Sequence, residues 1–129
     1  MNNSYIVDAY AWIEYLDGSV RGAVVRDIVE DANNKIYTCA VTLAEVISKF
    51  VRKGYNPEVA FEAITTNSIV INVDEKLSRA AGEIHAKVKT QVKDFGLADA
   101  YVLACALKYK IKVLTGDPHF KDIPETVMI

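Results

Sequence analysis

The chain has 129 residues, 51% hydrophobic and 25% charged, with 15 Lys and Arg against 17 Asp and Glu for a formal net charge of −2. That length suits one domain whose core folds without staples, and the composition excludes a disordered chain. The longest nearly apolar run, LADAYVLACAL, is interrupted by Asp99 and falls well short of the ~20 residues that span a bilayer, which excludes membrane insertion.

In chain order, SYIVDAYAWIEYL reads as a short apolar strand ending at Asp8, then a helix carrying Ala9, Trp12, Ile13 and Leu16. A second helix is expected from about Ser19 to Asn33, with Val24, Val25, Ile28 and Val29 on its inner side. KIYTCAV is a strand by its β-branched and aromatic content. The helix VTLAEVISKF follows, with Leu43, Val46, Ile47, Phe50 and Val51 on one stripe; Thr42 and Glu45 have the spacing of a capping box at its start. In GYNPEVAFEAI, Gly54 stops that helix, Asn56 is an N-cap and a proline takes the first helical position. NSIVINV is the third strand. From Asp74 to about Val92 an amphipathic helix puts Leu77, Ala80, Ala81, Ile84 and Val88 on one face. GLADAYVLACALKY is a helix apolar on nearly all sides, hence buried. KIKVLTGD is a fourth strand, PHFKD a helical turn and ETVMI an edge strand.

Strands alternating with helices predict an α/β/α sandwich around a mainly parallel sheet, and no Gly/Ser/Pro-rich linker divides residues 1–129. Cys39 and Cys105 lie in apolar patterns without CxxC or Cys/His spacing, so they are expected as reduced, buried thiols. No basic segment leading into an apolar one opens the sequence, which makes the cytoplasm the expected location. Basic clusters at Lys49, Arg52 and Lys53, at Lys87, Lys89 and Lys93, and at Lys108, Lys110 and Lys112 read as solvated faces.

In such a fold ligands bind beyond the C-terminal ends of the strands. Asp8 closes the first strand, Glu45 follows the second, Asp117 closes the fourth, and Asp99 lies early in the buried helix feeding that strand. Taken singly, Asp8, Glu45 and Asp117 are well explained as helix caps. Asp99 is the exception, a carboxylate in a run that otherwise avoids charge, and an unpaired buried acid is costly. A divalent cation would compensate all four together. Oxygen-rich ligand sets suit Mg²⁺ or Mn²⁺, which can activate water and stabilise a leaving oxygen in phosphodiester cleavage.

The stretches IVDAYAWIEYL, TLAEV, LADAYVLACAL and VLTGDPHF resemble, in order and over essentially the full chain, the four acidic motifs of the PIN-domain family and especially its VapC-like ribonuclease toxins. The resemblance implies a Mg²⁺- or Mn²⁺-dependent endoribonuclease with Asp8, Glu45, Asp99 and Asp117 forming the acidic pocket. It also implies a homodimer, and an antitoxin protein that occupies the active-site region. One position departs from the pattern: Tyr10 stands where the family often has a Ser or Thr whose hydroxyl supports the metal shell. Tyr10 is therefore not given that role. Asp94 is a possible extra acid or a cap of the helix that follows.

His85 reads as a boundary residue, and His119 could reach a phosphate near the pocket. Trp12, Tyr15 and Tyr101 could stack on bases, though at helical spacing such residues more often belong to a core. A haloacid-dehalogenase-type phosphatase needs an aspartate where Tyr10 stands, a response-regulator receiver needs more acids at the first strand, and no GxxxxGK[ST] loop exists. The remaining alternatives are a catalytically silent PIN fold that binds RNA or protein, and an RNA-processing nuclease that is not a toxin.

Overall fold

The computed structural model describes residues 3–129. The elements run β1 (Asn3–Val7), α1 (Ala9–Asp17), α2 (Val20–Val29), β2 (Asn34–Cys39), α3 (Ala40–Arg52), α4 (Pro57–Asn67), β3 (Ile69–Ile71), α5 (Glu75–Val88), α6 (Leu97–Tyr109), β4 (Lys112–Thr115), a 3₁₀ turn (Pro118–Phe120) and β5 (Thr126–Met128). The strands lie in the order β3-β2-β1-β4-β5, and every neighbouring pair is parallel, the edge strand β5 included.

Side chains alternate across the sheet with period two, so β1 and β4 feed two cores at once. Ile6 and Val113 pack beneath α5 and α6 with Phe95, Leu103 and Phe120. Val7 and Leu114 pack on the opposite face with Trp12, Val25, Val46 and Ile64, from α1 to α4. The result is the three-layer sandwich expected from the alternation of elements. Trp12, the largest fully buried side chain, donates its indole N–H to Thr38 Oγ1 at 3.1 Å and meets Tyr15 edge-on at 5.4 Å. The Thr38 hydroxyl shares a further bond of 2.7 Å with Ser68, tying α1, β2 and the approach to β3 together. Cys39 and Cys105 are free thiols buried in the α5–α6 core.

Winding runs from β1 outward through β2 to β3, then returns across the sheet to set β4 on the other side of β1. The connections leaving β1 and β4 therefore go to opposite faces, opening a crevice at the C-terminal ends of these two strands. That crevice holds the candidate site.

Three expected boundaries shift. Helix α3 begins at Ala40, directly after the strand, with Cys39 as its N-cap; Thr42 is thus inside the first turn, fully buried, with its hydroxyl unbonded, and no Thr42–Glu45 capping box forms. Helix α2 ends at Val29, because the Asp31 side chain takes the Asn33 N–H in a local turn that leads into β2. Val24, expected inside, faces solvent, since the buried stripe of α2 runs through Gly22, Val25 and Val29. Helix α5 ends at Val88, short of Val92. Among the described residues no helix is long and apolar enough to cross a membrane.

Candidate metal centre

Asp8 follows β1 in extended backbone and caps α1, its Oδ1 accepting the Ala11 N–H at 3.0 Å. Its Oδ2 accepts a short hydrogen bond from the Thr115 hydroxyl. The side chain is almost closed off from water, 4% exposed. Burial pushes its carboxyl up to about 7, against the opposing pull of the Thr115 and Ala11 hydrogen bonds, and repulsion from Asp117 and Asp99 adds to the rise.

Thr115 ends β4 and joins two of the acids. While its hydroxyl donates to Asp8, the same oxygen accepts the Asp117 N–H at 2.9 Å. A hydroxyl thus stands against the first aspartate at Thr115. Tyr10 instead points its phenol at Arg21, whose Nη1 donates to it at 2.6 Å. The Tyr10 ring closes over Gly116, where a Cβ atom would lie 2.5 Å from a ring carbon, so only glycine fits between Thr115 and Asp117. Thr115 is not among the residues expected from sequence, although its place at a strand end, two residues before Asp117, is a signal.

Asp117 caps the 3₁₀ turn, with Oδ1 accepting the His119 N–H at 2.9 Å. Asp99 stands at the third position of α6, and its Oδ2 accepts the N–H of the N-cap Gly96 at 2.8 Å. It therefore has the cap function that its sequence context concealed. Asp94, exposed and outside the cap, does not take that role. Burial raises the Asp99 carboxyl and the Asp117 charge adds to this, while the Gly96 hydrogen bond and the His119 imidazole lower it.

His119 Nδ1 lies 3.2 Å from Asp99 Oδ2 and 3.3 Å from Asp117 Oδ1. Ligand atoms of these three residues all fall within 4.8 Å of one another. The basic partner that Asp99 lacked in sequence is thus brought in from 20 positions away.

Glu45 stands further out. It shares with Asp117 the wall of an open cavity of about 560 Å³ that also meets Tyr10, Lys49 and Arg52. Although it is solvent-accessible at the mouth, partial desolvation by the cavity walls, then repulsion from Asp99 and Asp117, raise its carboxyl. The four acids thus divide: Asp99 and Asp117 form a tight pair with His119, Asp8 is tied to the Asp117 backbone through Thr115, and Glu45 lines the same open cavity as Asp117. Burial first, and mutual repulsion second, raise three of these carboxyls, and the oxygens of Asp99 and Asp117, with His119, are close enough that they could hold a divalent cation.

The other candidate residues are otherwise engaged. Trp12 is core, Tyr15 donates to Glu30 at 2.7 Å, and Tyr101 donates to Ser78 at 3.1 Å. His85 Nε2 meets the Phe95 carbonyl at 3.1 Å, on the boundary as expected.

No curated protein matches this chain by sequence. Solved structures do share its fold. The sarcin–ricin loop cleaving toxin VapC20 of Mycobacterium tuberculosis aligns with TM-score 0.76 and 19% identity over 93% of this chain and 95% of that one. VapBC2 of Rickettsia felis, bound to a DNA fragment from its promoter, gives TM-score 0.74 and 14% identity over 98% and 97%. VapBC-1 of nontypeable Haemophilus influenzae gives 0.71 and 21% over 98% and 96%. The sequence model of the PIN domain matches residues 5–126, from within β1 to the first residue of β5, and the chain belongs to the PIN domain family.

Proposed function

We propose that this PIN domain, taken as one unit over residues 1–129, is a divalent-metal-dependent endoribonuclease and the toxin of a toxin–antitoxin pair. The observation that carries the reading is the convergence of Asp99 and Asp117, backed by buried Asp8, in the crevice between β1 and β4. Mg²⁺ or Mn²⁺ would be held by Asp99 and Asp117, with Asp8 and Glu45 completing the acidic ring. When bound, the ion supplies positive charge to the scissile phosphate and activates water for attack.

The chain's own residues do the rest. Thr115 fixes the Asp8 carboxylate and the Asp117 backbone relative to each other, so the acids need little rearrangement. Lys49 and Arg52, on the wall of the cavity beside Glu45, are placed to hold flanking phosphates. A local pair of cations there suits an acidic protein, because attraction for RNA is confined to the site. RNA as substrate class is supported by the toxin of similar fold that is named for cleaving the sarcin–ricin loop. An antitoxin partner is supported by the toxin–antitoxin complexes among the similar structures. A homodimer in the cytoplasm is part of the same reading.

The test is cleavage of a structured RNA pool by purified protein with Mn²⁺, with Mg²⁺ and with EDTA, run beside Asp99→Asn. Cleavage that needs metal and vanishes in the variant is expected. Absence of both cleavage and Mn²⁺ binding would replace the enzyme reading with a silent RNA- or protein-binding module.

A further inference from the structure

We infer that His119 is itself a metal ligand, so that the centre is a mixed nitrogen–oxygen site of Asp99, Asp117 and His119 that selects transition ions such as Mn²⁺ over Mg²⁺. The inference rests on the metal-nuclease reading and specifies the metal.

A single ring nitrogen, His119 Nδ1, faces carboxylate oxygens of two different acids at nearly equal distances, 3.2 and 3.3 Å. One nitrogen has one in-plane direction in which to carry a proton or offer a lone pair. A proton placed there serves two oxygens poorly, whereas a cation at the point where the three atoms converge serves all of them. The spacing agrees with this. In octahedral coordination with bonds of ~2.1 Å, adjacent ligand atoms are ~3.0 Å apart, √2 times the bond length. The two histidine edges of the triangle are within a few tenths of an ångström of that separation.

The imidazole is also held where it is. The His119 backbone N–H donates to Asp117 Oδ1 at 2.9 Å. The next residue, Phe120, is fully buried and meets Phe95 edge-on at 5.6 Å. Phe95 immediately precedes Gly96, the cap of the helix that carries Asp99. One aromatic contact thereby sets the distance between the His119 arm and the Asp99 arm, so the nitrogen is preorganised toward the acid.

Imidazole nitrogen suits transition ions, in an affinity order that rises from Mn²⁺ toward Cu²⁺, while Mg²⁺ favours oxygen and water. A nitrogen in this ring therefore separates the two metals that an all-carboxylate site would leave close.

The deciding measurement is electron spin-echo spectroscopy of Mn²⁺ bound to the full chain in nitrogen-free buffer, with calorimetric titration of Mn²⁺ and Mg²⁺. Wild type is expected to show coupling to one imidazole nitrogen, lost in His119→Gln and retained in His85→Gln, the other of the chain's 2 histidines. His119→Gln should weaken Mn²⁺ binding by about tenfold or more and Mg²⁺ binding by much less. If His119→Gln fails to fold, the wild-type and His85→Gln spectra still decide. Mn²⁺ bound without nitrogen coupling would overturn the inference and leave an all-oxygen metal nuclease. Failure of wild type to bind either ion would overturn the metal-nuclease reading as well.

Discussion

Asp8 holds its proton to about pH 7 in the folded chain, because burial penalises its charge, whereas an unfolded aspartate releases it near ~3.9. Between those values the folded state binds the extra proton. Metal-free stability should therefore fall as pH rises from ~4 to ~7 and level off above, by an amount on the order of 4 kcal/mol. Thermal melts in EDTA at pH 5 and pH 8 should show the drop in wild type, and Asp8→Asn should flatten it and raise the pH 8 melting temperature. An unchanged slope in Asp8→Asn would place the pH dependence in another group. Asp99→Asn should behave differently despite its like charge, since Asp99 caps α6 and meets His119. Its carboxyl is raised as well, so the variant should also gain at pH 8, but by less than Asp8→Asn, because the charged form gives up favourable contacts with the Gly96 N–H and His119. Glu45→Gln should leave stability within about 0.5 kcal/mol, as for a surface change. Its metal affinity, read by titration, should fall, because Glu45 lines the cavity beside Asp117.

At the scale of elements, much of the chain order was legible because the periodicities are strong, and the misreadings have local causes. Thr42 and Glu45 carry the spacing of a capping box, but the chain passes from β2 to α3 without a loop, and Cys39 takes the cap position with no side-chain bond. For Asp99 the error ran the other way. With glycine as N-cap, only the returning arm of the box exists, and no Ser, Thr, Asp or Asn three residues earlier announced it. His119 could not be paired with Asp99 from sequence, since their meeting depends on the contact of Phe95 with Phe120. A test at this scale is Gly116→Ala between β4 and the 3₁₀ turn. The added Cβ collides with the Tyr10 ring, so the tyrosine must swing off and release Arg21, at a cost of about 1–3 kcal/mol in denaturant melts. A loss below about 0.5 kcal/mol would mean that the ring yields freely.

For the whole molecule, the return crossover that seats β4 beside β1 does the assembling. It brings Asp8 and Thr115, 107 positions apart, into one hydrogen bond, so the acidic centre exists only once the sheet is complete. A cation that binds the folded state alone then stabilises all of it by mass action. At a hundredfold excess over its dissociation constant, Mn²⁺ should add ~2.7 kcal/mol and raise the melting temperature by roughly 10 °C. No shift at millimolar Mn²⁺ would count against any metal site in the crevice.

Trp12 gives the molecule a built-in optical probe. It is the chain's 1 tryptophan, its backbone N–H is bonded to the Asp8 carbonyl at 3.0 Å, and its indole is sealed from water against Thr38 and Tyr15. Emission from the folded chain should be blue-shifted and move to the red in a single step on unfolding. Because the fluorophore sits one helical turn from the first acid, its intensity should also register arrival of a quenching ion such as Mn²⁺ or Co²⁺. Unlabelled protein in a fluorimeter can thus report both the integrity of the sheet and the filling of the site.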